Sequence, residues 1–192
     1  LCGLIAGRMT KSNTLGIVAA IPIAEVNRLV HAFKEGALSV NPAVKVKVAY
    51  IGSWFDPPKA KEAALAQIES GVDIIFAERF GVFEAAKEHK LLAFGNMLDQ
   101  HDLAPEVVVT GPVWDMYPTV LHSVDAVRKG EWKAENLREW SMMAKGGAFL
   151  APFHEFEQKL PAELMKEVRD LEAKILAGEF TVPVIETELK TD

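Results

Sequence analysis

The sequence predicts an α/β fold in which a parallel sheet is covered by helices on both faces. Short apolar runs typical of buried strands alternate with amphipathic helical patterns, and the connections between them are short. Parallel strands need crossover helices and are buried on both sides, so their sequences are almost continuously apolar. The 192 residues, 49% hydrophobic and 25% charged, have the composition of an ordinary globular protein.

The first half of the chain predicts repeated strand-to-helix units after an opening helix. The opening residues 1–9 place Leu1, Leu4, Ile5 and Met9 on one helical face. The elements expected next are a strand over 15–20, a helix over 24–39, a strand over 46–51, a helix over 57–70, a strand over 72–77 and a helix over 81–88.

The helix over 57–70 has the clearest terminal signals in this half. Asp56 suits the N-cap, and Pro57 suits the first helical position, where its missing N–H costs nothing. Gly71 suits the position after the helix end. The turn before this helix therefore contains two large aromatic residues, Trp54 and Phe55, between a buried strand and a capped helix.

The second half begins in the same way and then becomes less regular. We expect strands over 91–94 and 107–110, a helix over 115–128, a strand over 140–144, an extended piece over 148–153, a helix over 161–177 and an extended piece over 180–184. The helix over 161–177 is marked by Pro161 near its start and by Gly178 after its end. Pro183 favours a sheet edge or a crossing strand for the final piece.

Composition and charge exclude several classes of function. The net charge of −6 argues against general binding of nucleic acid or anionic membranes, and no apolar run reaches the roughly 18 residues of a membrane span. The single Cys2 excludes an internal disulfide and a cysteine-only metal cluster. Because a helical pattern is under way at Leu1 with no preceding signal peptide, we interpret the chain as a piece or processed product of a longer protein.

The histidines do not predict a metal site. His31 on a helix and His89 in a polar turn are expected to be solvated, and His101 and His122 have no partner at metal-ligand spacing. For His154, with its neighbouring glutamates, a polar surface loop is favoured over a metal site. We therefore expect neither a metal nor a cofactor.

The candidate functional residues lie where the predicted strands end. Carboxyl ends of parallel strands share one edge of the sheet, where ligands bind in open α/β folds. Among the residues expected at this edge, those predicted to bind a ligand are Trp54, Glu78, Arg79, Phe80, Asn96, Met97, Asp99 and Trp114. Aromatic faces and polar groups together suit a planar heterocycle, and the sequence lacks the glycine-rich phosphate loops and the G-x-S-x-G nucleophile motif.

Several segments carry a family resemblance: GLIAGRMTKSNTLGIVAA, AFKEGALSVNP, YIGSWFDPPKAKEAA, IESGVDIIFAE, GVFEAAKE, GNMLDQ and GAFLAPF. In this order they resemble the basic membrane protein family of bacterial ABC-transporter solute-binding proteins, which are purine-nucleoside-binding lipoproteins. The signature YIGSF-x-DP-x-K is the most specific of them. The resemblance covers nearly all of the chain.

The resemblance implies a type I periplasmic-binding-protein-like fold, with two lobes of parallel sheet flanked by helices and a ligand in the cleft between them. This chain would cover mainly the second lobe: residues 1–14 as the end of a first-lobe helix and crossover, 15–112 as the second α/β lobe, 113–150 as the return to the first lobe, and 151–192 as the C-terminal helix and crossing segment. It also implies ABC-transporter permease subunits as partners and a location in the periplasm or on the outer face of the cytoplasmic membrane. Any membrane contact would be through a lipid anchor upstream of Leu1.

The family motifs assign roles to individual residues. Trp54 takes the place of the aromatic residue of the family's G-S-F turn, and Asp99 and Gln100 match the end of its G-V-D-x-D-Q turn. The chain departs from the family at Met97, where an Asp is expected to bind ribose hydroxyls, and at Trp114, where a Lys is usual.

These departures favour a purine nucleobase, adenine above all, over a nucleoside. Met and Trp cannot make the charge-assisted hydrogen bonds that hold vicinal hydroxyls. Trp54 and Trp114 would stack on the ring, and Asp99, Asn96, Glu78 or Arg79 would bind its polar edge.

Other functions stay open beside this non-enzymatic binding protein. The pocket could repack and admit a nucleoside. An enzyme that processes nucleosides could use Glu78 and Asp99 as an acid/base pair. A ligand-sensing regulator of the same shape would need a DNA-binding module outside this chain.

Overall fold

A five-stranded sheet lies at the centre of the computed structural model, which describes residues 1–191. Its strands are β1 (Thr14–Ala19), β2 (Lys45–Tyr50), β3 (Ile74–Ala77), β4 (Leu92–Phe94) and β5 (Val108–Thr110). They lie in the order β2-β1-β3-β4-β5, and each neighbouring pair is parallel. The predicted α/β architecture is confirmed.

Helices cover both faces of this sheet. The helices of the described chain are α1 (Cys2–Met9), α2 (Ala24–Leu38), α3 (Pro57–Glu69), α4 (Val82–His89), α5 (Tyr117–Arg128), α6 (Phe156–Lys159) and α7 (Ala162–Leu176), of which α5 has no buried residue and takes no part in this covering. Ile17 of β1 lies in the core formed with α1, α2 and α7, whereas its neighbour Val18 lies in the core formed with α3 and α4. This alternation is the two-residue period of a strand that is buried on both sides. Within residues 1–191, no helix has the length and apolar character needed to cross a membrane.

Helix α1 packs closely against α2. A Cβ atom added at Gly3 would lie 2.0 Å from the Phe33 carbonyl oxygen, and one at Gly7 would lie 2.6 Å from that of Ala37. The two backbones can approach this closely only because these positions have no side chain. Helix α1 therefore packs on the body that contains the five-stranded sheet, while the division of the chain between two lobes stays a prediction.

Residues 112–150 add a two-stranded sheet, helix α5 and short 3-10 helices to the five-stranded body. Strands β6 (Pro112–Trp114) and β7 (Ala148–Leu150) pair antiparallel, and α5 has no buried residue. The predicted strand over 140–144 is wrong, because this region forms the short 3-10 helices Leu137–Ser141 and Met143–Lys145. The Asn136 side chain accepts a hydrogen bond from the Arg138 N–H (3.0 Å) at the start of the first one, a local cap that competes with extended structure.

The C-terminal segment runs along α2 and β2. The Asn27 side chain donates to the Glu186 carbonyl (2.8 Å), and His31 Nε2 donates to that of Thr187 (2.9 Å). His31 is buried, so its predicted solvation is wrong; the returning segment covers it, which local sequence does not reveal. Residues 180–184 pair with no strand of the part that the structure describes.

Candidate functional site

The strand order reverses direction at the carboxyl ends of β1 and β3, and a doubly wound sheet forms a crevice at such a point. From β1 the chain goes to β2 on one side, and from β3 it continues to β4 and β5 on the other side. In doubly wound sheets, ligands bind at such a point of reversal. Ala20 and Glu78 directly follow β1 and β3, and they meet here.

The Glu78 carboxylate closes the inner end of this crevice. Its side chain is 1% exposed. Oε2 accepts hydrogen bonds from the Ala20 N–H (2.9 Å) and from Arg79 Nε (2.9 Å), while Oε1 accepts from Arg79 Nη2 and from Asn96 Nδ2 (3.3 Å). Burial raises the pKa of the Glu78 carboxyl above its ordinary value, and the hydrogen bonds and charge of Arg79 only partly offset this. All contacts of the carboxylate are thus with groups of the protein, at the ends of three strands.

Asn96, just after the end of β4, donates a hydrogen bond to the Glu78 carboxylate. Besides Oε1, its amide contacts the Glu78 carbonyl (3.4 Å), and its backbone N–H donates to Gln100 Oε1 (2.8 Å). Asn96 is 3% exposed, and its Oδ1 has no hydrogen-bond partner in the described chain. Gln100, which the family motif singled out, therefore acts here by holding the turn after β4 in shape.

Arg79 links the buried carboxylate to Trp54. Its guanidinium forms a two-point contact with Glu78, and Nη1 donates to the Trp54 carbonyl (2.9 Å). The same group lies over the indole of Trp54, with Cζ 5.4 Å from the ring centroid, which is the geometry of a cation–π contact. One face of the indole is therefore covered by a cation that is itself held in place.

Aromatic side chains are exposed around this pair. Trp54 is 50% exposed, Phe55 72% and Phe80 43%. The rings of Phe55 and Phe80 meet edge to face, with 6.3 Å between centroids. Exposed aromatic rings that lie together beside a crevice offer apolar surface to a ligand. Phe55, which was expected at this edge beside Trp54, was not among the predicted ligand-binding residues.

Met97 and Trp114 form a second group further along the sheet edge. The Trp114 N–H donates to the Met97 carbonyl (3.0 Å), and Met97 also makes a parallel bridge with Val113. Met97 is 37% exposed, and its backbone is left-handed, with φ of +71°. The structure thus joins the two positions at which the sequence departs from the family motifs.

Asp99 pairs with histidines. His154 Nε2 donates to Asp99 Oδ2 (2.9 Å), and the His101 N–H donates to Oδ1 (3.1 Å). The two imidazole rings stack 3.9 Å apart, and His101 Nε2 contacts Glu155 (3.1 Å). Partial burial alone would raise the pKa of Asp99, but the hydrogen bonds from His154 and His101 outweigh it and lower that pKa.

The structure therefore divides the predicted site residues among three neighbouring groups. Trp54, Glu78, Arg79 and Asn96 form one hydrogen-bonded network, with Phe80 beside it; Met97 and Trp114 form another; Asp99 belongs to the histidine cluster. His154 lies 55 residues from Asp99 in the chain, so no sequence spacing could have indicated that pair. The ligand-binding roles of the eight residues stay predictions.

No metal centre is evident among residues 1–191, where no group of three or more His, Cys, Asp or Glu side chains has a suitable arrangement. Cys2 is a buried core residue, and burial raises the pKa of its thiol to about 11. A thiol in that state is a poor nucleophile and a poor metal ligand.

Comparison with known proteins agrees with this architecture. A solute-binding protein of an ABC transporter from Conexibacter woesei superposes with a TM-score of 0.70 at 20% identity, covering 97% of this chain and 62% of that one. A transcriptional activator of the comK gene from Bacillus halodurans superposes with a TM-score of 0.76 at 23% identity, covering 93% and 61%. At these identities the likeness shows the fold alone, and the fold is of the type I periplasmic-binding-protein-like class.

The sequence identifies the family. The chain belongs to the PnrA-like ABC transporter substrate-binding proteins, also called the Bmp family, whose model matches residues 1–186. This confirms the resemblance drawn from the motifs.

Two relatives that are more than 30% identical to this chain are named for different ligands. A purine-binding protein of Brucella abortus is 35% identical over 187 residues, which cover 95% of this chain and 52% of that protein. A Haloferax volcanii protein, provisionally named as an ABC transporter glucose-binding protein, is 33% identical over 184 residues, which cover 95% and 46%. The chain thus spans about half the length of these curated relatives.

Proposed function

We propose that this chain forms one wall of the ligand cleft of an ABC importer's solute-binding protein, and that the ligand is a purine nucleobase, adenine. The observation that carries the proposal is the half-exposed indole of Trp54 at the carboxyl edge of the sheet, with one face covered by Arg79. The exposed part of the indole would stack on a flat ring. A purine stacks on such a surface through dispersion and desolvation.

The residues around Met97 favour a base over a nucleoside. Met97 and Trp114 offer polarizable and aromatic surface, and neither side chain makes charge-assisted hydrogen bonds to the hydroxyls of a ribose. The relative from Brucella abortus, which is named as purine-binding, supports the ligand class. A nucleoside is the alternative within the same family.

The polar edge of the ligand would meet the groups that still have hydrogen-bonding capacity. The side-chain oxygen Oδ1 of Asn96, which has no hydrogen-bond partner among residues 1–191, is such a group. Glu78, whose side chain is 1% exposed, would hold Arg79 in place through hydrogen bonds without touching the ligand. Asp99 would bind the ligand only through the hydrogen-bonding capacity of its carboxylate that His154 and His101 leave unused.

The proposal includes no enzymatic activity. Glu78 and Asp99, the acid/base pair considered from the sequence, have separate sets of partners: Arg79 and Asn96 for the first, histidines for the second. The expected partners are permease subunits, and the expected location is the periplasm or the outer face of the cytoplasmic membrane. Both follow from the family and are proposals for this chain.

Calorimetric titration of the complete protein with adenine, adenosine and D-glucose tests the function. Tight binding of adenine with weak binding of adenosine and glucose is the expected result. Tighter binding of adenosine would favour the nucleoside alternative, and binding of glucose alone would overturn the purine assignment. Release of free base from adenosine during the experiment would instead indicate an enzyme.

A further inference from the structure

The Arg79 guanidinium is held in place by the protein itself, which ligand binding alone does not require. Much of the hydrogen-bonding capacity of Arg79 is directed at the protein: two contacts with the Glu78 carboxylate, one with the Glu78 carbonyl (2.8 Å) and one with the Trp54 carbonyl (2.9 Å). The Arg79 side chain is 12% exposed. A guanidinium held at so many points has a fixed orientation.

The anchor of this guanidinium is itself immobile. Glu78 is buried, and its carboxylate also accepts from the Ala20 N–H (2.9 Å), so it is tied to the end of β1 as well as to the end of β3. Asn96 adds a tie to the end of β4. By contrast, the turn that carries Trp54 is exposed, and Phe55 beside it is 72% exposed.

We propose that Arg79 is a positioning residue that transmits the rigidity of the sheet to Trp54 and fixes the plane of its indole for stacking. The Arg79 guanidinium packs on one face of the Trp54 ring and donates a hydrogen bond to the Trp54 carbonyl. The ligand then meets a pre-formed surface on the other face of the ring. Pre-organisation raises affinity because the side chain loses little freedom on binding. This inference rests on the proposed function, since it assumes that Trp54 stacks on the ligand.

The test uses Arg79→Lys, which keeps the charge but cannot bridge Glu78 and the Trp54 carbonyl as a planar fork. Arg8→Lys is the matched control, because Arg8 also makes a two-point contact with a glutamate, Glu167 (3.0 and 2.8 Å), on a remote surface. The double variant E78Q/R79M removes both charges together, so that no buried carboxylate is left unpaired if the single variant proves unstable.

The first readout needs no ligand. In the ¹⁵N-labelled complete protein, the indole N–H signal of Trp54 is assigned by its loss in Trp54→Phe. We expect Arg79→Lys and E78Q/R79M to shift and broaden this signal and to leave that of Trp132 in place, while Arg8→Lys changes neither. An unchanged Trp54 signal would overturn the inference, whether or not the protein binds purines.

The second readout is a double-mutant cycle on adenine affinity. Arg79→Lys should weaken binding by about three- to tenfold in the native background and by less than about twofold in a Trp54→Ala background. An equal loss in both backgrounds would show that Arg79 does not act through Trp54, and would overturn the inference. If the unmodified protein binds no purine, the proposed function fails, and the indole signal alone decides the role of Arg79.

Discussion

Met97 is a residue whose backbone conformation and chemistry can be tested together. Its φ of +71° lies in the left-handed region, which Asp and Asn adopt more easily than Met does. Its side chain is 37% exposed, so a polar replacement is not forced into the core. This residue is thus a place where the ligand preference can be changed without loss of the fold.

We predict that Met97→Asp raises the affinity for adenosine by about tenfold, because a carboxylate there can make charge-assisted hydrogen bonds to ribose hydroxyls. Calorimetry with adenine and adenosine measures the change. Met97→Asn is the matched control, with the same backbone preference and no charge, and should give a smaller gain. An unchanged ratio of the two affinities in Met97→Asp would show that the ribose does not reach this position.

Asp99 gives a prediction about acid stability. Because its pKa is lowered in the folded protein, the unfolded state takes up the proton more readily. The stabilising contribution is therefore present above the ordinary pKa of about 3.9 and is lost as the pH falls through the lower folded value. We expect Asp99→Asn to lower the melting temperature clearly at about pH 5 and only slightly at about pH 2.

Thermal unfolding over this pH range provides the measurement. The exposed neighbour Asp102 supplies the control, since Asp102→Asn should have little effect at either pH. A difference between the native protein and Asp99→Asn that does not vary with pH would contradict the assigned role of the His154 and His101 hydrogen bonds.

At the scale of elements, the contact between α1 and α2 depends on glycine. Alanine is the better helix former by roughly 1 kcal/mol, so propensity alone would make Gly3→Ala stabilising. The added Cβ would lie 2.0 Å from the backbone oxygen of Phe33, so the helices must separate. We expect a net loss of about 1–3 kcal/mol in the free energy of unfolding, measured with denaturant.

Gly7→Ala, where the Cβ would meet the Ala37 carbonyl at 2.6 Å, should shift stability in the same direction. A stabilised Gly3→Ala protein would mean that α1 does not pack on α2 as described.

The type and order of most helices and strands could be predicted because their signals are local. Asp56 accepts a hydrogen bond from the Lys59 N–H (3.1 Å), as its N-cap role required, and α3 begins at Pro57. The strand expected over 72–77 begins later, at Ile74, and the Val72 N–H donates back to the Gln67 carbonyl of α3 (3.2 Å). The Asp73 side chain accepts hydrogen bonds from the N–H groups of Lys11 (2.6 Å) and Ser12 (2.8 Å). That partner segment is distant in the chain, and no local pattern reports it.

The site could be predicted as a set of positions at one sheet edge, but not as a network. Alternation of strands and helices places Trp54, Glu78 and Asn96 at the same edge. It does not reveal that Glu78 turns inward to the Ala20 N–H, or that Asp99 turns to a histidine. The hydrogen-bond partners of Glu78 and Asp99 depend on side-chain packing between segments that are far apart in the sequence.

At the scale of the whole molecule, the C-terminal segment closes the side of the sheet next to β2. Leu189 is buried in the same core as α1 and α2, and the Thr191 hydroxyl donates to the Val48 carbonyl (2.9 Å). We predict that Leu189→Asp destabilises the fold by about 3 kcal/mol or more, because it places a charge in apolar surroundings.

Thermal unfolding and limited proteolysis of the segment measure this effect. Val182→Asp, a similar change at a residue that is 37% exposed, is the control and should have little effect. Equal effects of the two substitutions would contradict the described docking of the segment.

Stacking of the ligand on Trp54 is tested most directly by adenine titration of Trp54→Ala beside Trp132→Ala, both in the complete protein. Trp132 is 61% exposed and lies outside the candidate site, so it matches Trp54 in residue type and exposure. Loss of a stacked base typically weakens binding by about 1–3 kcal/mol. We predict at least a fivefold loss, on the order of 1 kcal/mol, for Trp54→Ala and none for Trp132→Ala. Native affinity in Trp54→Ala would contradict the claim that the ligand stacks on this ring.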